Sequence, residues 1–142
     1  MFKLYPKLKE DTVLIGRFSL SLLLLSRDAN YPWCILVPER DTVQEIHHLG
    51  LDDRQQLMVE SCRLAEAMDD IFVPDKMNIG VLGNIVPQLH VHHVARFNTD
   101  AAWPGPVWGA VEPKSYSETE LSAMVKRIQG ALSGDGFEIL SD

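Results

Sequence analysis

Cysteine is scarce in this chain. Cys34 and Cys62 are the two present in 142 residues, and neither belongs to a CxxC or a spaced Cys/His set. That excludes zinc-finger and dithiol redox chemistry and leaves two reduced thiols, both expected to be buried. Basic charge is short as well: 13 Lys and Arg stand against 20 Asp and Glu, for a formal net charge of −7. Binding of nucleic acid through its phosphate backbone needs clustered Lys and Arg, and no such cluster exists here. A phosphate-bearing small molecule stays compatible, because it requires only a local site. No apolar run approaches bilayer length; the most apolar stretch, Phe18 to Leu25, is far too short to span. The lysines of MFKLYPKLKEDT have no apolar run beside them, unlike a secretory signal. The expectation is a cytoplasmic protein with no membrane contact. Repeats and low-complexity stretches are absent too.

What remains is ordinary globular composition, with 46% hydrophobic and 23% charged residues. A chain of this length fits one domain, residues 1–142, and can bury a core without disulfides or metal. Its most informative stretch is Met77 to Arg96, MNIGVLGNIVPQLHVHHVAR. Read as a strand, Gln88, His90 and His92 share one face, while Leu89, Val91 and His93 share the other. Upstream, Gly80 and Gly83 bracket a turn with Asn78 and Asn84, a composition that lets backbone N–H groups approach a ligand. An imidazole-bearing strand face opposite a glycine-rich bend suggests an anion site.

Along the rest of the chain, Pro6 is suited to the first turn of a short helix over 4–10. Strands are expected over Thr12 to Ile15 and Phe18 to Leu25, with a bend or bulge at Gly16-Arg17. Leu20, Leu22 and Leu24 would face the core, and Leu23 and Leu25 the other side, covered by a helix on one face and a second subunit on the other. A polar loop, Ser26 to Pro32, leads to a strand from Trp33 to Val37. Thr42 to Leu49 is ambiguous. Adjacent His47 and His48 cannot share a strand face, which favours surface or packing roles. From Asp52 the pattern turns helical, with Leu57, Ser61, Leu64, Ala65, Met68 and Phe72 at three- and four-residue spacing, Asp52 and Gln55 as a capping box and Pro74 as the stop. Strands at 77–82 and 88–96 follow, joined by a Gly83-Asn84 bend. The loop Trp103 to Trp108 is too proline-rich for helix or central strand and either packs on its own domain or a subunit interface, or closes over a ligand. Ser117 and Glu120 form a second capping box ahead of the stripe Leu121, Val125, Ile128 and Leu132. Phe137 to Leu140 is an edge strand or a crossing to a partner.

Three readings compete for the histidines. In the first, a neutral imidazole attacks phosphorus while its other nitrogen donates a proton to a fixed acceptor. In the second, His90 and His92 bind a metal with a third ligand from elsewhere, although no nearby acidic residue supports it. In the third they are structural.

Gln88-Leu89-His90-Val91-His92-His93-Val94 resembles the signature of the histidine triad (HIT) superfamily, His-φ-His-φ-His-φ-φ with φ apolar. The glycine-rich stretch with Asn78, Gly80, Gly83 and Asn84 resembles the family's as well, as does the strand–loop–strand from Leu22 to Pro38. The likeness covers residues 10 to about 100, with the Trp/Pro loop and helix of 101–142 beyond it. It looks especially similar to bacterial HIT-like proteins with QLHVH and a downstream WPGPVW loop, a subgroup often labelled diadenosine polyphosphate hydrolase-like. The resemblance implies an α+β fold with an antiparallel sheet of about five strands and two main helices, a homodimer, and a nucleotide substrate. By position, His90 would be the nucleophile, His92 would donate to an α-phosphate oxygen, and Gln88 would contribute chiefly its carbonyl. Asn78, Gly83 and Asn84 would lie near phosphate and Asp28 at the ribose hydroxyls. No metal is required, though magnesium could neutralise a polyphosphate leaving group. The implied activity is a nucleotide hydrolase or nucleotidyl transferase; the alternative is a nucleotide-binding sensor with little turnover. Two positions depart from the pattern: Gln88 replaces the first histidine, and Asn84-Ile85 replaces a Gln-Ser or Gln-Thr pair.

Overall fold

A computed structural model describes residues 1–141. Its centre is a six-stranded antiparallel sheet with spatial order β4-β5-β3-β2-β1-β6. The strands are β1 (Thr12–Phe18), β2 (Ser21–Ser26), β3 (Trp33–Pro38), β4 (Lys76–Gly80), β5 (Val91–Arg96) and β6 (Phe137–Ile139). The sixth strand exceeds the five expected because the C-terminal segment pairs with β1, Phe18 opposite Phe137 and Gly16 opposite Ile139. Three helices accompany the sheet: α1 (Pro6–Asp11), α2 (Leu51–Phe72) and α3 (Glu118–Leu132).

The apolar run from Phe18 to Leu25 is not one strand. A bend at Ser19 and Leu20 separates β1 from β2, and the Glu60 carboxylate of α2 accepts from the Leu20 N–H at 2.8 Å. The break resets the alternation, so Leu20 packs with Leu23 and Leu25 on the helix-covered face instead of with Leu22 and Leu24. On that face Leu57, Leu64 and Met68 of α2 and Ile128 and Leu132 of α3 complete the main core. Truncating a fully buried leucine such as Leu23 to alanine there costs about 2–5 kcal/mol. The opposite face, expected to need a second subunit, is covered by the chain's own N-terminal segment: Phe2, Leu4, Tyr5 and Leu8 lie against Leu22, Leu24, Ile35 and Val37. Register shifts between Leu14 and Gly16, a bulge close to the expected bend.

Helix α1 opens with proline in its first turn, as its sequence predicts. Helix α2 starts one residue early, with Gly50 as its N-cap and no side-chain cap, so Asp52 and Gln55 do not form the expected box. Asp52 and Asp53 instead sit in the first turn, where the helix dipole favours negative charge. Its C-cap is Val73 in the left-handed region, φ 48°, just before Pro74. The Ser117–Glu120 box of α3 forms in both directions at 3.1 Å. His47 and His48 occupy a short 3-10 turn, Ile46–His48, on the surface. Cys34 is buried in β3, and burial pushes its thiol up to about 12, whereas Cys62 is exposed on α2 and corrects the expectation of two buried thiols. No helix among the described residues is long and apolar enough to cross a membrane.

Candidate functional site

The site forms where β5 begins. The expected strand over 88–96 is shorter in fact: residues 81–90 form an irregular loop and β5 starts at Val91. Gly83 turns this loop with φ 74°, a conformation costly for any side chain other than Gly or Asn. Leu89 and Val91 reach the helix-side core. His93, fully buried on that side, donates from Nδ1 to the Val91 carbonyl at 3.1 Å and meets Ser61 Oγ of α2 at 2.7 Å through Nε2. With both ring nitrogens used and burial holding it down to about 4, His93 ties the strand to the helix.

His90 and His92 lie on the other side, ring centroids 4.9 Å apart and tilted by 73°. His90 Nδ1–H donates to the Gln88 carbonyl at 2.6 Å, which leaves the Nε2 lone pair unshared. This bond arises because the chain approaching β5 turns the carbonyl of residue 88 back over the imidazole two residues on. His92 Nδ1 lies 3.0 Å from Trp33 Nε1. Burial first, and then the neighbouring His90 and His93, lower the His92 pKa to about 3, so its ring is neutral at physiological pH.

Gln88 meets the histidines through its backbone alone. Its side chain turns to the N-terminal segment, Oε1 accepting from the Tyr5 N–H and Nε2 donating to the Lys3 carbonyl, both at 2.9 Å. The expected common face of Gln88, His90 and His92 therefore does not extend to residue 88, which precedes the regular strand. Asn78 lies in β4 opposite Val94, and its Oδ1 accepts from Arg96 Nη1 at 2.7 Å. Asn84 is exposed in the loop and makes no hydrogen bond among the described residues. Asp28 organises its own loop: Oδ1 accepts from the Asn30 backbone and side chain and from the Lys114 N–H, and Asp28 bridges Ser115. These bonds run to the segment after the tryptophan loop and not to the histidines.

Three further residues neighbour the site; the sequence reading missed Trp33 and Arg96 there and had Trp108 only as part of a loop that packs or closes over a ligand. Trp33, read simply as the start of an apolar strand, presents its indole to His92 with ring centroids at 5.6 Å. Trp108 stands edge-on to the same imidazole at 5.2 Å and edge-on to Trp33 at 6.2 Å. Its ring also covers Gly80, which pairs with His92 across β4 and β5; a β-carbon at Gly80 would lie 3.2 Å from Trp108 Cη2, tighter than ordinary contact. The third is Arg96, at the end of β5. Its guanidinium holds Asp100 through two bonds, Asn78 through one and the Gly105 carbonyl through another. The tryptophan loop is thereby folded over the sheet face that carries His92, with Val107 packed on Val94 and Tyr31. A self-complementary pattern at positions 96 and 100 was the available signal, an Arg and an Asp four residues apart on either side of a turn.

Among the described residues, no group of three or more His, Cys, Asp and Glu side chains converges as a metal site. The arrangement presents two adjacent imidazoles, one with an unshared lone pair at Nε2, backed by an aromatic wall and a glycine-turned loop.

The family described as HIT domain matches residues 7–99, and the chain belongs to it. Among solved structures, a histidine triad protein from Bradyrhizobium japonicum is 45% identical over 93% of this chain and 98% of its own, with a TM-score of 0.91. One from Marinobacter aquaeolei VT8 is 43% identical over 93% and 96%, also with a TM-score of 0.91. One from Sinorhizobium meliloti 1021 is 39% identical over 93% and 98%, with a TM-score of 0.90. No curated protein matches.

Proposed function

We propose that this protein is a nucleotide hydrolase or nucleotidyl transferase that cleaves at the α-phosphate of a nucleoside phosphate derivative, of the diadenosine polyphosphate hydrolase-like kind. The observation that carries the reading is the 2.6 Å bond from His90 Nδ1–H to the Gln88 carbonyl, which fixes the neutral ring with its lone pair at Nε2. His90 Nε2 attacks the α-phosphorus, an N–P bond forms, and the P–O bond to the leaving group breaks with its electron pair going to oxygen. A polyphosphate leaves as an anion and needs no proton; magnesium would lower its charge further. The oxygen of water or an acceptor alcohol then bonds to phosphorus, its proton passes to solvent, and the N–P bond breaks with its electron pair returning to His90 Nε2, releasing the nucleoside monophosphate or transferring it. His92, neutral and adjacent, donates to a non-bridging phosphate oxygen as charge builds there. By their positions in the family pattern, Gly83 and Asn84 are assigned to the phosphates and Asp28 to the ribose. Asn78 supports the site through Arg96.

The exposed apolar side chains Met58 and Val59 on α2 and Ile79 on the edge strand β4 support a homodimer, and two free thiols suit a cytoplasmic setting. A second reading, a nucleotide sensor with little turnover, is favoured by one observation: exposed Ile85 sits in the phosphate-side loop where a hydroxyl would assist the leaving group. Incubating the protein with dinucleoside polyphosphates, nucleoside phosphoramidates and nucleotide sugars and assaying nucleoside monophosphate separates the two. Turnover abolished by His90→Asn supports the enzyme; tight binding without product selects the sensor.

A further inference from the structure

Two imidazoles, two residues apart, meet partners of opposite kind. His90 Nδ1 faces a carbonyl, which can only accept, and His92 Nδ1 faces an indole Nε1–H, which can only donate. Tautomers follow from partners of this sort, because the ring nitrogen must supply whatever the neighbour lacks. We propose that Trp33 is a positioning residue whose indole N–H holds His92 as the Nε2–H tautomer and so aims a proton, instead of a second lone pair, at the phosphate oxygens.

At 3.0 Å the Trp33 Nε1–H bond requires a lone pair on His92 Nδ1. The ring is neutral, so its single proton resides on Nε2. The opposite tautomer would set two N–H groups against each other in a buried space, leaving both without an acceptor. Trp33 is itself held firmly: it pairs with Val94 across β3 and β5, packs edge-on against Tyr31 at 6.3 Å and edge-on against Trp108 at 6.2 Å. Trp108 also stands edge-on to the His92 ring at 5.2 Å, next to Trp33. The result is a matched pair, with the carbonyl of Gln88 making His90 a nucleophile and the indole of Trp33 making His92 a donor. One side chain thus separates two chemically identical groups into two roles.

This assignment rests on the reading of His92 as a donor to phosphate, but the tautomer can be tested without substrate. Nitrogen-15 NMR of the full chain labelled at histidine and tryptophan should show His92 with a protonated Nε2 and an unprotonated Nδ1 coupled through the hydrogen bond to Trp33 Nε1, and His90 with the reverse pattern. A protonated His92 Nδ1 would overturn the proposal whatever the activity. The kinetic arm replaces Trp33 with 3-benzothienylalanine, which keeps the indole shape and loses the N–H, with Trp33→Phe as a second variant. For the isostere, kcat should fall about tenfold while KM stays within about threefold, because the donor acts chiefly in the transition state. An unchanged kcat in the isostere would also overturn it. Absence of any turnover in the unmodified protein would defeat the hydrolase reading and leave the ring-nitrogen spectrum to decide the tautomer.

Discussion

Arg96 and Asp100 form an ion pair in which both side chains are buried, 2% and 5% exposed, with Nε–Oδ2 at 2.8 Å and Nη2–Oδ1 at 3.1 Å. Asp100 also accepts from the backbone N–H groups of Phe97, Ala102 and Trp103, so one carboxylate gathers both the guanidinium and the first turn of the tryptophan loop. Arg96, in turn, reaches Asn78 on β4 and the Gly105 carbonyl. The pair converts the end of a core strand into the anchor of a loop that walls the site.

Asp100→Ala should therefore cost about 3–5 kcal/mol, because it strands a buried guanidinium without its counter-charge. Chemical denaturation of the variant against the parent measures this. A loss below about 1 kcal/mol would mean that Arg96 finds another acceptor and that the loop does not depend on Asp100.

The two tryptophans of the loop should behave differently. Trp108 touches His92, Trp33 and the Gly80 backbone, whereas Trp103 is partly exposed and packs over the Arg96 guanidinium at 5.8 Å. Trp108→Ala is expected to weaken nucleotide binding roughly tenfold or more, in line with the energy of a well-placed aromatic contact, while Trp103→Ala loses about 0.5–1 kcal/mol of stability with affinity close to the parent. Calorimetric titration and thermal melts read the two effects separately. Equal loss of affinity in both variants would assign the loop a single collective role.

Stability should fall as pH drops through the range below 6.5. His93 and His92 are held neutral in the fold, at about 4 and about 3, against an unfolded value near 6.5, chiefly by burial. Between those limits the unfolded chain binds more protons than the folded one, so acid favours unfolding, and the stability these rings permit is complete only above about 6.5. Each ring contributes a slope of up to about 1.4 kcal/mol per pH unit. Asp100 behaves as a carboxylate instead: Arg96, above all, lowers it to about 2, so its contribution holds above about 4 and is lost as pH falls toward 2. Denaturation midpoints from pH 7 to 4 check the histidine part, and His93→Gln should flatten the curve. An unchanged slope in that variant would show that His93 is not the group being protonated.

Much of this architecture could be read from the chain before any coordinates. The proline-led first helix, the Ser117–Glu120 box and the alternation of Val91, His92 and His93 along β5 follow local rules of capping and alternation, and local rules survive folding. The carbonyl partner of His90 was legible for the same reason, since it lies two residues away. What could not be read depended on contacts between distant segments. The Gln88 amide is satisfied by Lys3 and Tyr5, more than eighty residues upstream, and Trp33 meets His92 across 59 positions. The edge strand at Phe137 was among the alternatives the sequence offered, but its neighbour, β1, was not legible. The bend at Leu20 was hidden by five leucines within six residues, whose apolar character masks where one strand stops and the next begins.

Replacing Gln88 by His should leave activity within roughly tenfold, about 1.4 kcal/mol in the barrier, because His90, the proposed nucleophile, bonds to the carbonyl of that residue and not to its side chain. The cost should appear in stability: two hydrogen bonds to the N-terminal segment are lost, for about 1–3 kcal/mol in total. His92→Ala should cost more activity than Gln88→His. Activity switched on in an otherwise silent protein by Gln88→His would mean that the natural chain is a binding module lacking an imidazole.

The most direct test of the account is to quench the protein in acid-free denaturant during turnover of a dinucleoside polyphosphate and locate the label by peptide mass spectrometry. A nucleoside monophosphate attached to the peptide carrying His90, present in the parent and absent in a folded His90→Asn variant whose turnover has dropped by several orders of magnitude, is the expected result. Near-full turnover in His90→Asn, or a nucleotidyl group on another side chain, would contradict it.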